Sequence, residues 1–376
     1  MLSILATFGL VAGMVGALVS TAGAATSQVS CGDTITTDTN LDSDLVDCPN
    51  HGIVIGADNI TLDLNGHTID GDGELVDPCP DDQFCDLGVD NTAGHDGVTI
   101  KGGSIREFAL GVFILGASDN RLRHLSVSMN LFLGIVIGES ARSRVERTSV
   151  TRNGLTTDAG GMFLFASHDN RIERNRLSGN GSVGLGSDEA DDNRIVKNTF
   201  SDNPEAGIFM FGDGNKVSRN RILRNGDGIV SEGNDNTFTR NHIDASGCPE
   251  NECGIGISLE GGTDNLIAHN IIAPRHTGIW LDNVDNTVAW RNLLRDAGVD
   301  GILVTNATDS LLQRNIAIGA GDDGIDVDSP TTTLTRNLAL RNGDLGIEAV
   351  PGVTDGGGNK ARGNGNPVQC TNVDCA

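Results

Sequence analysis

Along most of this chain, apolar residues recur in short pairs two positions apart, set between Asn, Gly and Asp. "NRIERNRLSGN" from Asn170, "NRIVKNTFSDN" from Asn193 and "NKVSRNRILRN" from Asn215 share the template Asn-x-Φ-x-x-Asn-x-Φ-x-x-Asn, where Φ is apolar. "NTFTRNHIDAS" from Asn236, "NLIAHNIIAPR" from Asn265 and "TTLTRNLALRN" from Thr332 follow it more loosely. A second element, Gly-Φ-x-Φ, comes a few residues later, beginning at Gly207, Gly228, Gly256, Gly278, Gly301 and Gly324. Alternation with period two over three or four residues predicts short strands, and these segments are too brief for helices of two or more turns.

The starts at Asn170, Asn193, Asn215 and Asn236 are 23, 22 and 21 residues apart. Self-similarity at such a period marks a solenoid. A leucine-rich frame is absent, so each repeat reads as one coil of a parallel β-helix. The expected fold is all-β: a single-stranded right-handed parallel β-helix of roughly eleven or more coils of about 23 residues. Asn175, Asn198, Asn220, Asn241, Asn270, Asn315 and Asn337 then occupy one position of successive coils. At about 4.8 Å between coils, their amides would form a ladder, and Asn would also supply the left-handed backbone of a tight turn. Asn130, Asn153, Asn180, Asn203, Asn225 and Asn342 form a second such column.

The repeats run clearly over residues 97–350. Residues 26–96 read as an N-terminal cap, opening coils and an irregular Cys-containing loop, and residues 351–376 as a C-terminal cap. Residues 1–25 form an apolar run ending in small residues. They read as a secretory signal peptide, with an uncleaved anchor as the alternative because no Lys or Arg precedes the run. Eight cysteines fall in four local pairs, Cys31/Cys48, Cys79/Cys85, Cys248/Cys253 and Cys370/Cys375. In an exported chain these read as short-loop disulfides. The expected location is secreted, extracellular or at the cell surface, with no membrane contact once a signal is cleaved.

The repeat resembles the right-handed parallel β-helix repeat family, whose members include pectate-lyase-like and NosD-type proteins. "ITLDLNGHTIDG" and "GVTIKGGSIREFALGV" are similar to the opening coils of secreted bacterial members. The resemblance covers nearly the whole mature chain and implies the fold. It leaves the activity open, because this fold hosts lyases, hydrolases, epimerases, adhesins and binding proteins.

Composition narrows the partners. The chain carries 51 Gly, no Tyr and 3% aromatics, with a net charge of −25. Such a charge opposes nucleic acid and anionic membrane surfaces. An acidic polysaccharide would be repelled as well, unless a divalent cation bridges the two. The expected partner is a polysaccharide or surface glycan, and the expected state a monomer.

Candidate chemistry follows from the outward position of Gly-Φ-x-Φ, which carries Phe113, Phe163, Phe209 and Trp280 in a chain poor in aromatics. Left open, this column would stack on sugar rings; covered by insertions, it would be buried. "GDDGIDVDSP" from Gly321 crowds Asp322, Asp323, Asp326 and Asp328 together. Coil alignment adds Asp300 beside Asp323 and Glu348 beside Asp326. A solvated turn, a calcium site and a catalytic acid pair are the three readings. For calcium, Asp300, Asp323, Asp326, Asp328 and Glu348 are the ligand candidates, since hard oxygen donors in this density suit that ion. The resemblance to polygalacturonase-like hydrolases implies a catalytic role for Asp322 and Asp323, but the accompanying N-T-D, G-H-G and R-I-K elements are missing. His269 and His276 precede "GIWLDN", so His276 with Asp282 is a further acid/base candidate. The Arg that recurs before the central Asn, as at Arg174, Arg219 and Arg240, reads as a solvated stripe. No cluster of Met and His suggests copper.

Overall fold

The computed structural model describes residues 29–74, 85–156, 159–247 and 254–376, and contains no helix among them. Residues 1–25, and with them the signal or anchor expectation, lie outside the described residues. Each coil carries three short strands, and all pairings are parallel and join successive coils. One strand per coil enters a sheet of 14 strands running from Asp33–Ile35 to Ile347–Ala349. We call this the first face. The strands of the Asn template form the second and third faces, exemplified by Arg171–Glu173 and Arg176–Ser178. In the early coils the last two faces merge, as strand Arg121–Ser128 runs through both without a break.

The pairs of apolar residues point inward. Ile208, Ile229, Ile257, Ile279, Ile302, Ile325 and Ile347 stack in register on the first face and are wholly buried. Each such side chain contributes about 1.5–3 kcal/mol. The Gly that opens Gly-Φ-x-Φ sits where successive coils touch: a Cβ at Gly278 would lie 2.3 Å from the Gly301 carbonyl oxygen. Only glycine fits that approach.

The Asn ladders are present, and there are three. Asn170, Asn193, Asn215, Asn236 and Asn265 form the additional one, each backbone N–H donating to the next side-chain oxygen at 2.9 Å. The conformational role expected of these Asn residues belongs elsewhere. The left-handed residue is the one before each ladder Asn, as at Asp169 (φ 58°), Arg174 (φ 57°) and Arg219 (φ 57°). The ladder Asn keeps ordinary backbone, and its amide ties three chain segments together.

Both ends extend the helix further than the sequence suggests. Asp33–Ile35, Thr39–Asn40 and Leu45–Cys48 pair with the next coil, so the expected N-terminal cap is itself a coil, clasped by Cys31–Cys48. The C-terminal segment adds strands Thr354–Asp355 and Lys360–Arg362 and is clasped by Cys370–Cys375. Leu87–Asn91, within the expected irregular loop, is a strand of the first face. Cys85 is disulfide-bonded. Cys79, Cys248 and Cys253 lie outside the described residues, so the pairings Cys79/Cys85 and Cys248/Cys253 are not described.

Candidate functional site

The first face carries the outward column read from Gly-Φ-x-Φ, in the expected register. Phe113, Val136, Phe163, Gly186 and Phe209 are successive partners. Val230, Ser258, Trp280, Leu303, Asp326 and Glu348 continue the column. Exposure differs along it. Phe113 is only 3% exposed, packed with Leu87 and Val136 against Leu110, Leu115, Leu133 and Phe165. Phe113, expected as a glycan contact, is therefore closed to one: the apolar neighbours of the early coils cover it.

Phe163, Phe209 and Trp280 are half-buried and remain on the surface of the face. The Phe163 ring lies beside Gly186, where a Cβ would approach it to 2.9 Å. Phe209 meets Phe211 edge to face at 5.1 Å, and Phe211 is 37% exposed. Beside Phe211 an open depression follows the turn, lined among others by His168, Asp188, Asp191 and Asp213. The Trp280 indole is fixed by a relay. Its Nε1–H donates to Thr305 Oγ1 at 3.1 Å, and that hydroxyl donates to Asp282 Oδ1 at 2.7 Å. Asn306 Nδ2 donates to the same oxygen at 2.9 Å.

Asp282 is thus committed to orienting Trp280. His276 lies before strand Ile279–Asp282, its Nδ1 3.0 Å from Thr277 Oγ1, while Asp282 ends the strand on the opposite side of the face. The expected His276–Asp282 acid/base pair does not form. His269 sits on another face altogether, 4.6 Å from the Trp290 ring. Trp290 was not singled out in the sequence. It occupies an x slot of the Asn template, where the repeat itself gives no signal.

Two coils beyond Trp280, the acidic residues converge. Carboxylates of Asp300, Asp322 and Asp323 lie within 4.8 Å of one another, as do those of Asp323, Asp326 and Glu348. Asp323 belongs to both groups, while Asp328 is exposed and belongs to neither. The backbone organises the cluster, since Asp323 N–H donates to Asp300 Oδ1 at 3.1 Å and Leu345 N–H to Asp323 Oδ1 at 2.6 Å. Burial, then a hydrogen bond to Glu348, pushes the Asp323 carboxyl up to about 8. Burial, then the charge of Asp328, pushes Asp326 up to about 7, and burial raises Asp300 as well.

These shifts fix the sign of a pH dependence. In the unfolded chain the three carboxyls ionise near 3.8, whereas the folded protein retains protons on Asp326 and Asp323 until about pH 7 and 8. Their favourable contribution is complete below the unfolded value, falls as pH rises through that window, and is lost above it. In metal-free buffer, stability is expected to decline between pH 5 and 8. Asp326→Asn should flatten the decline and raise stability at pH 8 by on the order of 1–2 kcal/mol, after allowance for solvent screening. Melting curves across that range decide it, and an identical slope in the variant would remove the cluster as the cause.

Two family models agree with this architecture. The family model described as periplasmic copper-binding protein (NosD) matches residues 65–247, and that of the right handed beta helix region matches residues 227–373. Among solved structures, a double mutant of the periplasmic alginate epimerase AlgG is similar at 15% identity and TM-score 0.49, over 74% of each chain. The A-module of the Azotobacter vinelandii mannuronan C-5 epimerase AlgE4 is similar at 12% identity and TM-score 0.47, over 86% of this chain and 87% of that one. PfbA, a surface adhesin of Streptococcus pneumoniae, is similar at 12% identity and TM-score 0.49, over 79% and 83%. A search of curated protein sequences finds no match. With the two family models together covering residues 65–373 and parallel strands pairing coil to coil, this chain belongs to the right-handed parallel β-helix repeat family.

Proposed function

We propose that this is an exported protein that binds a polysaccharide or cell-surface glycan along its first face. The observation that carries this reading is the half-exposed Trp280, held in one orientation by Thr305 and Asp282 and aligned with Phe209 and Phe163 in a single outward column. Three coils separate Trp280 from Phe209 and two separate Phe209 from Phe163, or about 14 and 10 Å at the coil spacing. An extended glycan laid along the helix would meet successive apolar platforms, and an oriented ring binds without first losing side-chain freedom. The disulfides Cys31–Cys48 and Cys370–Cys375 fit an oxidising compartment. A glycan array together with a depolymerisation screen, run with and without calcium, tests the proposal. Retention of at least one glycan is expected, and retention of none would end it.

A second reading, a polysaccharide-active enzyme, is favoured by the acidic cluster. A carboxyl that holds its proton near neutral pH serves as a general acid, and Asp326 follows Trp280 by two coils in the same column. Release of shorter chains in the screen would establish it.

Calcium is the cation that the cluster would take. The donors are all carboxylate oxygens, which suit a hard cation and do not suit copper. Asp323 would be shared between the two groups, with Asp300 and Asp322 on one side and Asp326 and Glu348 on the other. A chelator is then expected to lower the melting temperature at pH 8 and calcium to restore it. At a hundredfold excess over Kd the ion contributes about 2.7 kcal/mol. Asp326→Asn should abolish the response. Curves indifferent to chelator and calcium would leave a proton-sharing cluster without a metal.

A further inference from the structure

The fold sorts the charges of this acidic chain, and one corner of the helix is basic. Between the second and third faces a left-handed residue recurs in register from coil to coil. The column opens with Gly102 and His124, continues through Arg147, Arg174, Lys197, Arg219 and Arg240, passes His269, and resumes with Arg291, Arg314 and Arg336 before closing on Gly358. Its register is uniform: Arg219, Arg240, Arg291, Arg314 and Arg336 each donate their backbone N–H to the carbonyl just before the corresponding residue of the next coil. Eight of the 26 Lys and Arg residues therefore stand in one line.

The backbone does not ask for cations here. A left-handed conformation favours Gly, Asn and Asp and is disfavoured for other residues. The corner between the first and second faces follows that preference at every coil but one: Asp119, Asp169, Asp192, Gly214, Asp235, Asp264, Asn286 and Asp309 stand in its left-handed column, and Arg142 is the exception. The basic corner meets the same backbone requirement with Arg and Lys, and accepts Gly at its two ends. Stacked like charges on adjacent coils also repel. Internal pairing does not account for the choice. Arg174 reaches Glu173 at 3.0 Å and Arg291 lies over the Trp290 ring at 4.7 Å, but Arg219, Arg240, Arg314 and Arg336 make no ion pair among the described residues. From Arg194 to Arg336 the outward positions flanking the column on both faces include a single acidic residue, Asp244.

We infer that this corner is a binding surface for a linear acidic polysaccharide. A row of cations repeating at about 4.8 Å matches a polymer bearing one negative charge per sugar, because one ring spans roughly the rise of one coil. Half-buried Trp290, flanked by His269 and Arg291, adds a ring on which a sugar can stack within the row. The inference rests on the proposed glycan reading for the class of partner only. It places that partner on a different surface, through different residues.

The test is the affinity of the full mature protein for polygalacturonate at low and moderate salt, with a neutral polysaccharide as control. The triple variant Arg219→Gln, Arg240→Gln and Arg314→Gln keeps a polar side chain at each position and removes three charges. The expected result is binding that weakens with salt in the unmodified protein. In the triple variant affinity should fall about tenfold or more and its salt dependence should weaken, with the melting temperature unchanged. Arg142→Gln, on the acidic corner, should bind as the unmodified protein does. The inference is overturned if polygalacturonate fails to bind at low salt, or if the triple variant binds equally well. It is also overturned if the variant loses stability in step with affinity, or if single-stranded DNA or anionic vesicles bind as tightly through the same arginines. Trp280→Ala separates the two proposals: it reports on the first face and should leave this salt-dependent binding intact.

Discussion

Asn220→Ala is expected to be among the most destabilising single substitutions in this chain, at about 3–5 kcal/mol. The Asn220 side chain is buried and fully engaged. Its oxygen accepts the backbone N–H of Asn198 at 2.8 Å and Asn198 Nδ2 at 3.2 Å. Its amide donates to the Ile195 carbonyl at 2.9 Å and to Asn241 Oδ1 at 3.1 Å. Truncation takes a partner from the Asn198 backbone N–H and the Ile195 carbonyl and one hydrogen bond each from the Asn198 and Asn241 side chains, in an interior where water does not replace them. In a solenoid the damage reaches both neighbouring coils, because each coil is stabilised mainly by those beside it. The adjacent residue supplies the contrast. Arg219→Asn puts a residue suited to φ 57° in place of one that is not, and should leave stability within about 0.5 kcal/mol. Chemical denaturation of the two variants measures both. A loss below about 1 kcal/mol for Asn220→Ala would mean that the ladder is ornamental.

Trp280→Ala carries the largest expected effect of a single substitution on binding: about 1–2 kcal/mol, or roughly five- to thirtyfold in Kd for whichever glycan the screen returns. The indole is the largest platform left open on the first face, and its orientation is set before a ligand arrives. Phe209→Ala should have a smaller effect, since Phe211 at 5.1 Å retains part of that platform. Titration of both variants, with circular dichroism to confirm the β spectrum, is the measurement. Full affinity in both would mean that the aromatic column packs the face and binds nothing.

The acidic cluster lay closest to what the sequence shows. Once the Gly-Φ-x-Φ elements are aligned, the partnership of Asp326 with Glu348 follows from counting, and the structure has it in register. Whether those carboxyls hold protons did not follow, because burial dominates their shifts and burial belongs to the folded surface. Phe113 and Trp280 make the same point. They hold equivalent positions in the repeat, yet one is enclosed by Leu110, Leu133 and Phe165, and the other is half-open. His276 and Asp282 are near in sequence and apart in space, since an extended strand separates its ends.

A repeat of about 23 residues, apolar pairs two apart and fixed Asn and Gly positions determined the parallel β-helix, its register and which residues share a column. These are local rules applied coil after coil, so a linear reading recovers them. Which columns are open, which residue of each turn takes the left-handed backbone, and how the charges distribute were decided only by the tertiary structure. The net charge of −25 alone argues against any polyanion. The folded chain lines six Asp along one corner and eight Arg and Lys along another, and at a screening length of about 8–10 Å a ligand responds to the corner it meets, not to the sum.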